Sequence, residues 1–566
     1  MNLNVKAKKE NTYDAIVVGS GISGGWAAKE LTEKGLKVLV LERGRNVKHI
    51  VDYPTMYKAP WELPYADELT QEELKNYPVQ KRTGYTLLQS TKHWFVNDLE
   101  NPYTEIKRFD WIRGYHVGGR SLMWGRQSYR WSDLDFEGNL KDGVGVDWPI
   151  RYKDIAPWYD HVESFIGVSG NRDGLSQLPD GKFQPPMEMN CLEQDVAGKI
   201  NSRYSDRKMI IGRTANLTQP RPGRSKCQYR NLCIRGCPFG AYFSSNSSTL
   251  PAAVATGNLT LRPNSIVNAV IYDKEKKRAS GVRIIDAETL KTEEYYAKII
   301  FLNASTIGTA FILLNSTSSE FPDGLGNSSG VVGHNLMDHH MDAGAEGESD
   351  DFQDKYYRGR RPNGIYIPRF RNVTDKRKDY IRGFGYQGGA SRKNWRAGIA
   401  EMNIGKDLKS DLTQPGPWTM GIGGFGECLP YDDNRVTLNK EVLDKYEQPT
   451  LKIDCTFREN ELTMRKDMIA SAVEMLESAG LKNVKPFDKI GAPGLAIHEM
   501  GTARMGKDPK TSVLNRWNQM HDVPNVFITD GACMASTACQ NPSLTYMALT
   551  ARACDYAVSE VKKGNI

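Results

Sequence analysis

The chain has 566 residues, 25% of them charged and 39% apolar; these proportions exclude bulk disorder, and the length exceeds what one hydrophobic core usually serves. Its net charge of +7 is small for that length. Lys and Arg are dispersed, and the short clusters "KEKKR" (274–278) and "RGRRP" (358–362) read as solvated faces, so no nucleic-acid partner is expected.

The opening "MNLNVKAKKENTYD" carries neither the apolar core of a signal peptide nor a twin arginine, and no apolar run reaches the roughly 18–20 residues of a membrane span. The expectation is a soluble protein without a direct membrane span. Residues 15–18 then form a short apolar run that predicts a buried strand, followed by Gly19, Gly21 and Gly24 in a G-x-G-x-x-G pattern. A helix with apolar Trp26, Ala27, Ala28 and Leu31 is expected next, closed by Gly35, with a second strand over 37–41 ending at Glu42. In such a unit the first glycine makes the tight turn, the second admits a pyrophosphate to the backbone, and the third lets helix pack on strand. The helix N-terminus attracts the anion, and an acid about 20 residues on holds ribose hydroxyls. A dinucleotide site is expected; FAD and NAD both fit this stretch.

Further along, "CQYRNLCIRGCPFGA" (227–241) sets Cys227, Cys233 and Cys237 in a C-x5-C-x3-C-P pattern, three of only nine cysteines. Three thiolates on one loop can converge on an inorganic centre, with Pro238 fixing the exit of the chain. Zinc normally takes four ligands, and no fourth lies nearby. A disulfide with a spare thiol, or three free thiols, are the other readings. His339 and His340 in "VVGHNLMDHH" (331–340) read equally as structural or functional, and His116 as a loop residue. In the middle of the chain, "NWRAG" (394–398) and "GPWTMGIGGFGE" (416–427) can line a pocket or fill a core.

Near the C-terminus, "IHEMGTARMG" (497–506) carries His498, and residues 526–529 predict a strand ending at Asp530-Gly531. A loop then leads to Asn541-Pro542 and a helix beginning near Ser543, whose start offers backbone donors to a negative or carbonyl-rich ring edge.

These segments resemble the glucose–methanol–choline (GMC) oxidoreductases, which use FAD. "HVGGRSLMWGRQSYR" (116–130) is similar to the family's flavin-contacting glycine loop, and "DWPIRYKDIAPWYDHVESFIGVSG" (147–170) to another family segment, whereas 341–490 is less recognisable. The resemblance implies an α/β fold, a Rossmann-like FAD-binding domain with an inserted α+β substrate domain. Residues 11–50, 106–146, 190–340 and 493–566 are assigned to the discontinuous FAD-binding domain. Residues 51–105, 147–189 and 341–492 are assigned to the substrate domain and linking segments. By the same resemblance His498 is the catalytic base and Asn541 its partner, and an imidazole with a pKa near 6.5 suits the removal of a hydroxyl proton. Gly118, Gly119, Ser121, Val267, Asp530, Gly531, Pro542 and Thr545 join Gly19, Gly21, Gly24 and Glu42 as expected cofactor contacts. Where some sugar-oxidising relatives attach FAD through a histidine in the glycine loop, this chain has Met123, so FAD is expected to be non-covalent.

The cysteine loop further resembles that of the flavin subunits of bacterial FAD-dependent glucose dehydrogenases and their fructose- and glucoside-oxidising relatives. That resemblance implies a 3Fe–4S cluster on Cys227, Cys233 and Cys237. It also implies a small partner subunit bearing an export signal, and a cytochrome or quinone electron acceptor. The expected substrate is a sugar or glycoside, with C3 of a glucoside and C1 of glucose both open. The expected compartment is the periplasm, reached with the partner subunit, or the cytoplasm. An oxygen-using oxidase and a non-catalytic redox scaffold are the alternatives, and a base beside the flavin argues against the scaffold.

Overall fold

The computed structural model describes residues 11–84, 86–357, 362–374, 376–392, 404–413 and 415–566. The opening residues 1–10, most of "RGRRP" and the segment 394–398 lie outside the described residues.

Two large sheets organise the chain. The first contains seven strands: β1 (Thr12–Val18), β2 (Val38–Leu41), β3 (Leu259–Arg262), β4 (Ser265–Asp273), β5 (Arg278–Asp286), β6 (Thr292–Leu302) and β7 (Val526–Ile528). Its five parallel members run β3-β2-β1-β6-β7, while β4 and β5 add an antiparallel meander to the start of β6. Residues 15–18 of β1 and all of β2 are apolar and buried without a break, as expected where helices cover both faces of the parallel part. Helix α1 (Ile22–Glu33) follows β1, α2 (Thr306–Asn315) follows β6, and α3 (Ser543–Lys563) ends the chain. Along α3, Leu544, Met547, Ala548 and Ala551 are all buried, and spacings of three and four place them on one helical face. Each large apolar side chain so buried stabilises the fold by about 1.5–3 kcal/mol.

The second sheet is wholly antiparallel and has six strands, in the order Lys482–Asp488, Ala343–Ser349, Trp418–Gly426, Phe384–Arg392, Ile365–Ile367 and Ile210–Ile211. Helices Glu459–Ser478 and Cys191–Arg203 pack into its apolar core through Met464, Met468, Leu192 and Val196. Helix Cys191–Arg203 and strand Ile210–Ile211 thus belong structurally with the second sheet, although their sequence position groups them with the cofactor-binding segments. No helix among the described residues is long and apolar enough to cross a membrane.

The phosphate-type turn has the geometry its glycines demand. Gly19 has φ +92°, and a Cβ there would lie 2.3 Å from the Asn303 carbonyl oxygen. A Cβ on Gly24 would lie 1.9 Å from the Gly19 oxygen, whereas one on Gly21 meets nothing among the described residues within 4 Å. The third glycine is therefore a packing requirement, and the second faces open space. Gly24→Ala should lower the thermal unfolding temperature of the flavin-free protein by an amount equivalent to about 1–3 kcal/mol, because α1 must shift off β1. Gly21→Ala should leave that temperature unchanged and weaken FAD binding. A calorimetric scan and a flavin titration of the two variants check this pair of outcomes.

Candidate active site

The C-terminal ends of β1, β2, β6 and β7 open onto a cavity of about 520 Å³. Gly19, Gly21 and Glu42 line one part of it, and His498, Asn541 and Phe425 another. Two helices begin at its wall, α1 after Gly21 and α3 after Pro542, and no side-chain hydrogen bond caps either start among the described residues. Their free backbone N–H groups and dipoles favour an anionic or carbonyl-rich ligand.

A dinucleotide cofactor fits these residues. Gly21 presents bare backbone to the cavity, and the Asn303 side chain lines it with an Nδ2 that has no partner among the described residues. Glu42 sits beneath the turn, accepting from Ser20 Oγ (2.6 Å), Ser20 N (3.1 Å) and Gly44 N (3.0 Å). Burial raises its pKa in spite of those donors. A carboxylate has about four acceptor sites, so capacity for a ribose hydroxyl remains. Ser20 Oγ also accepts from Gly118 N at 2.9 Å, which joins the glycine loop to the first turn.

Most expected cofactor contacts converge here: Gly119, Ser121, Val267, Asp530, Gly531 and Pro542 all line the cavity with the residues already named. Three do not. Gly24 packs helix against turn, and Gly118 packs against Asn246, whose Oδ1 would lie 1.7 Å from an added Cβ. Thr545 is fully buried and its Oγ1 shares a 2.7 Å hydrogen bond with the Tyr159 hydroxyl, so it points inward from the first turn of α3. Asp530 is held by Thr309 Oγ1 (2.6 Å) and the N–H of Ala532 (2.9 Å), and burial pushes its pKa up to about 6.

His498 and Asn541, 43 residues apart in sequence, meet at the cavity wall with Asn541 Nδ2 3.2 Å from His498 Nε2. The segment carrying His498 is anchored by Asp338, which accepts backbone N–H bonds from Gly494 (2.7 Å), Ala496 (3.1 Å) and His498 (3.0 Å). Burial, reinforced by the Glu499 carboxylate, pushes the Asp338 pKa up to about 7. Beside the base, Arg120 Nη1 and Nη2 donate to the two oxygens of Glu499 at 3.0 and 2.7 Å, and both residues line the cavity. Burial opposes the Arg120 charge, but Glu499 outweighs it and raises its pKa. His498 itself is held well below an ordinary histidine, first by burial and then by His339 and the Arg120 charge. It is therefore neutral at physiological pH and free to accept a proton. Arg120 and Glu499 lie within the glycine-loop and "IHEMGTARMG" segments without standing out there, Asp338 and Gln387 carry no signal of their own, and His339 reads equally as structural or functional.

The other histidines occupy different surroundings. His340 is buried with both ring nitrogens unpartnered among the described residues, packed against Phe457. His116 is buried beside the glycine loop, its Nδ1 3.2 Å from the Val117 carbonyl oxygen.

Cys227, Cys233 and Cys237 line a separate small cleft of about 30 Å³. All three are free and half-buried, and burial followed by the neighbouring thiols pushes Cys227 up to about 11. Among the described residues no three His, Cys, Asp or Glu side chains are grouped to hold a metal ion, so the arrangement of these thiols gives no support to the expected 3Fe–4S cluster.

Comparison with known proteins agrees with the geometry. The chain is 28% identical over 565 residues to the 2-methyl-1,2-propanediol dehydrogenase of Mycolicibacterium austroafricanum, covering 96% of this chain and 94% of that protein. It is 27% identical over 565 residues to the fructose dehydrogenase large subunit of Gluconobacter japonicus, covering 97% and 98%. A formate oxidase from Aspergillus oryzae RIB40 shares the fold, with a TM-score of 0.61 at 15% identity over 98% of this chain and 99% of that one. The N-terminal model of the GMC oxidoreductases matches residues 13–341 and the C-terminal model residues 430–550. The chain belongs to the GMC oxidoreductases, FAD-dependent enzymes that act on CH–OH groups.

Proposed function

We propose that this protein is a dehydrogenase that oxidises a hydroxyl of a sugar, glycoside or related polyol, with FAD held non-covalently. The observation that carries this reading is the meeting of His498 Nε2 and Asn541 Nδ2 on the wall of a cavity whose other end is built for a dinucleotide. A substrate hydroxyl placed between them donates its proton to His498 Nε2 and accepts from the Asn541 amide. Bound FAD supplies the hydride acceptor for the carbon bearing that hydroxyl. Arg120 adds a fixed positive charge next to the oxygen as its proton leaves. The names of the diol and fructose dehydrogenases among the relatives support a polyol or sugar substrate, and "large subunit" supports a partner subunit; oxidation at C3 of a glucoside and onward transfer to a cytochrome or quinone are further parts of this proposal.

Met123 lines the cavity where a histidine would be needed for a covalent bond, which supports non-covalent FAD. Acid precipitation should leave the flavin in the supernatant; a yellow pellet would contradict this. A cluster on Cys227, Cys233 and Cys237 rests on the spacing and resemblance of their loop, and oxidation of the hydroxyl does not depend on it. If the loop carries the cluster, anaerobically purified protein should contain iron and acid-labile sulfide at about three and four per chain.

The reaction is tested by anaerobic flavin bleaching with glucose, methyl glucoside, fructose and 2-methyl-1,2-propanediol, with the product identified by NMR. At least one should bleach the flavin, and fast reoxidation by oxygen would identify an oxidase instead. His498→Ala should keep its FAD and bleach about 10²–10⁴-fold more slowly. Because the imidazole pKa is lowered, the neutral base is fully present at pH 6.5 and above and is lost only as pH falls well below that. The bleaching rate should therefore be flat from pH 6.5 to 8, and an acid limb centred at or above 6.5 would show a different base.

A further inference from the structure

Behind the base lies a second imidazole that touches neither the cavity nor its opening. His339 is buried, and its Nδ1 stands 2.8 Å from His498 Nδ1. Its Nε2 is hydrogen bonded to the Ala538 carbonyl oxygen. At the other end of the same chain of contacts, Gln387 Nε2 donates to Asn541 Oδ1 at 2.7 Å.

Resting on the function proposed above, we propose that His339 is a positioning residue that fixes the tautomer of His498, so that the lone pair of His498 Nε2 always faces the substrate hydroxyl.

A carbonyl oxygen can only accept, so His339 Nε2 carries a hydrogen directed at Ala538. Burial pushes the His339 pKa down to about 4, so at neutral pH it carries no second proton and its Nδ1 is a bare lone pair. Two bare nitrogens 2.8 Å apart would repel, and the contact is satisfied only if His498 Nδ1 carries the hydrogen and donates it. His498 Nε2 is then the unprotonated nitrogen. It accepts from Asn541 Nδ2, whose amide is held in that orientation by Gln387. The opposite tautomer would set an Nε2–H against the Asn541 N–H and leave the His339 lone pair buried without a donor. A buried acceptor left without a donor makes the inactive tautomer a minor species. On proton uptake, His498 Nδ1–H remains bonded to His339, so the imidazolium is stabilised where it forms.

His339→Phe keeps a ring of similar size and removes both nitrogens. His339→Gln keeps an amide N–H for Ala538 and an amide oxygen for His498. At saturating sugar or polyol, the flavin-bleaching rate of His339→Phe should fall on the order of 10²-fold. Its half-saturating substrate concentration should stay within about twofold, and FAD content per chain should be unchanged, since His339 lines neither site. His339→Gln should recover at least about tenfold of the lost rate. A His339→Phe rate within about twofold of the unmodified protein, or a His339→Gln rate no faster than His339→Phe, would overturn the inference. If His339→Phe fails to retain flavin, His339→Gln alone decides, with a rate within about tenfold expected and a 10²-fold loss contradicting the role. His498→Ala run alongside separates the two levels: an undiminished rate there removes the base itself, whereas its loss with an unaffected His339→Phe removes only the positioning role.

Discussion

The end of strand β6 governs everything at the cavity. Ile300 to Leu302 pair with β1 on one side and β7 on the other, so two loops far apart in sequence emerge side by side. Asn303, the next residue, joins them. Its N–H donates to Val18 O at 2.9 Å, and its Oδ1 accepts from Thr529 Oγ1 at 2.8 Å and Thr529 N at 3.3 Å. Its own carbonyl is what forbids a side chain at Gly19. Through this one residue the glycine turn and the Asp530 loop keep a fixed separation, and a long cofactor can be met by both.

Around that frame the reactive groups are held by partners they do not share with substrate. Asp338 spends its lone pairs on three backbone amides of the segment 494–498, where Ile497 has the left-handed φ of +62°. A branched side chain in that region costs energy that the three hydrogen bonds offset. Arg120 and Glu499 form a two-pronged ion pair next to the base. Glu499 is buried, so removing Arg120 would leave its carboxylate without its cationic partner. Asp338, Arg120, His498 and Asn541 each answer to a second group behind them.

How much of this the sequence discloses follows from how local each signal is. The glycine turn, α1 and β2 lie within one stretch of chain, and their spacing alone dictates strand, turn, helix and strand; the observed Thr12–Val18, Ile22–Glu33 and Val38–Leu41 differ from the expected limits by only a few residues. His498 and Asn541 are singled out by the resemblance of the segments around them, and only Asn541 stands beside a helix start. His339, Gln387, Asp338 and Arg120 are not singled out, since each acts through contacts with residues distant in the chain. Gln387 sits in the middle of a strand of the second sheet, where one polar residue among glycines gives no periodic signal. Thr545 follows Asn541-Pro542 and is expected at the cofactor, whereas its Oγ1 is bonded to the Tyr159 hydroxyl in the interior. The swap of Cys191–Arg203 into the second sheet has the same origin, a packing choice made by partners well over a hundred residues downstream.

The cysteine loop stands between two spaces. Ile234 lines the large cavity, while Cys233, Gly236 and Cys237 on either side of it line the thiol cleft, and Trp94 Nε1 pins the Ile234 carbonyl at 2.9 Å. Ile234 thus belongs to the wall of the cavity and is the direct chain neighbour of Cys233 in the cleft. A group that enlarged the cleft would act on the same short segment that forms part of the wall facing cofactor and substrate.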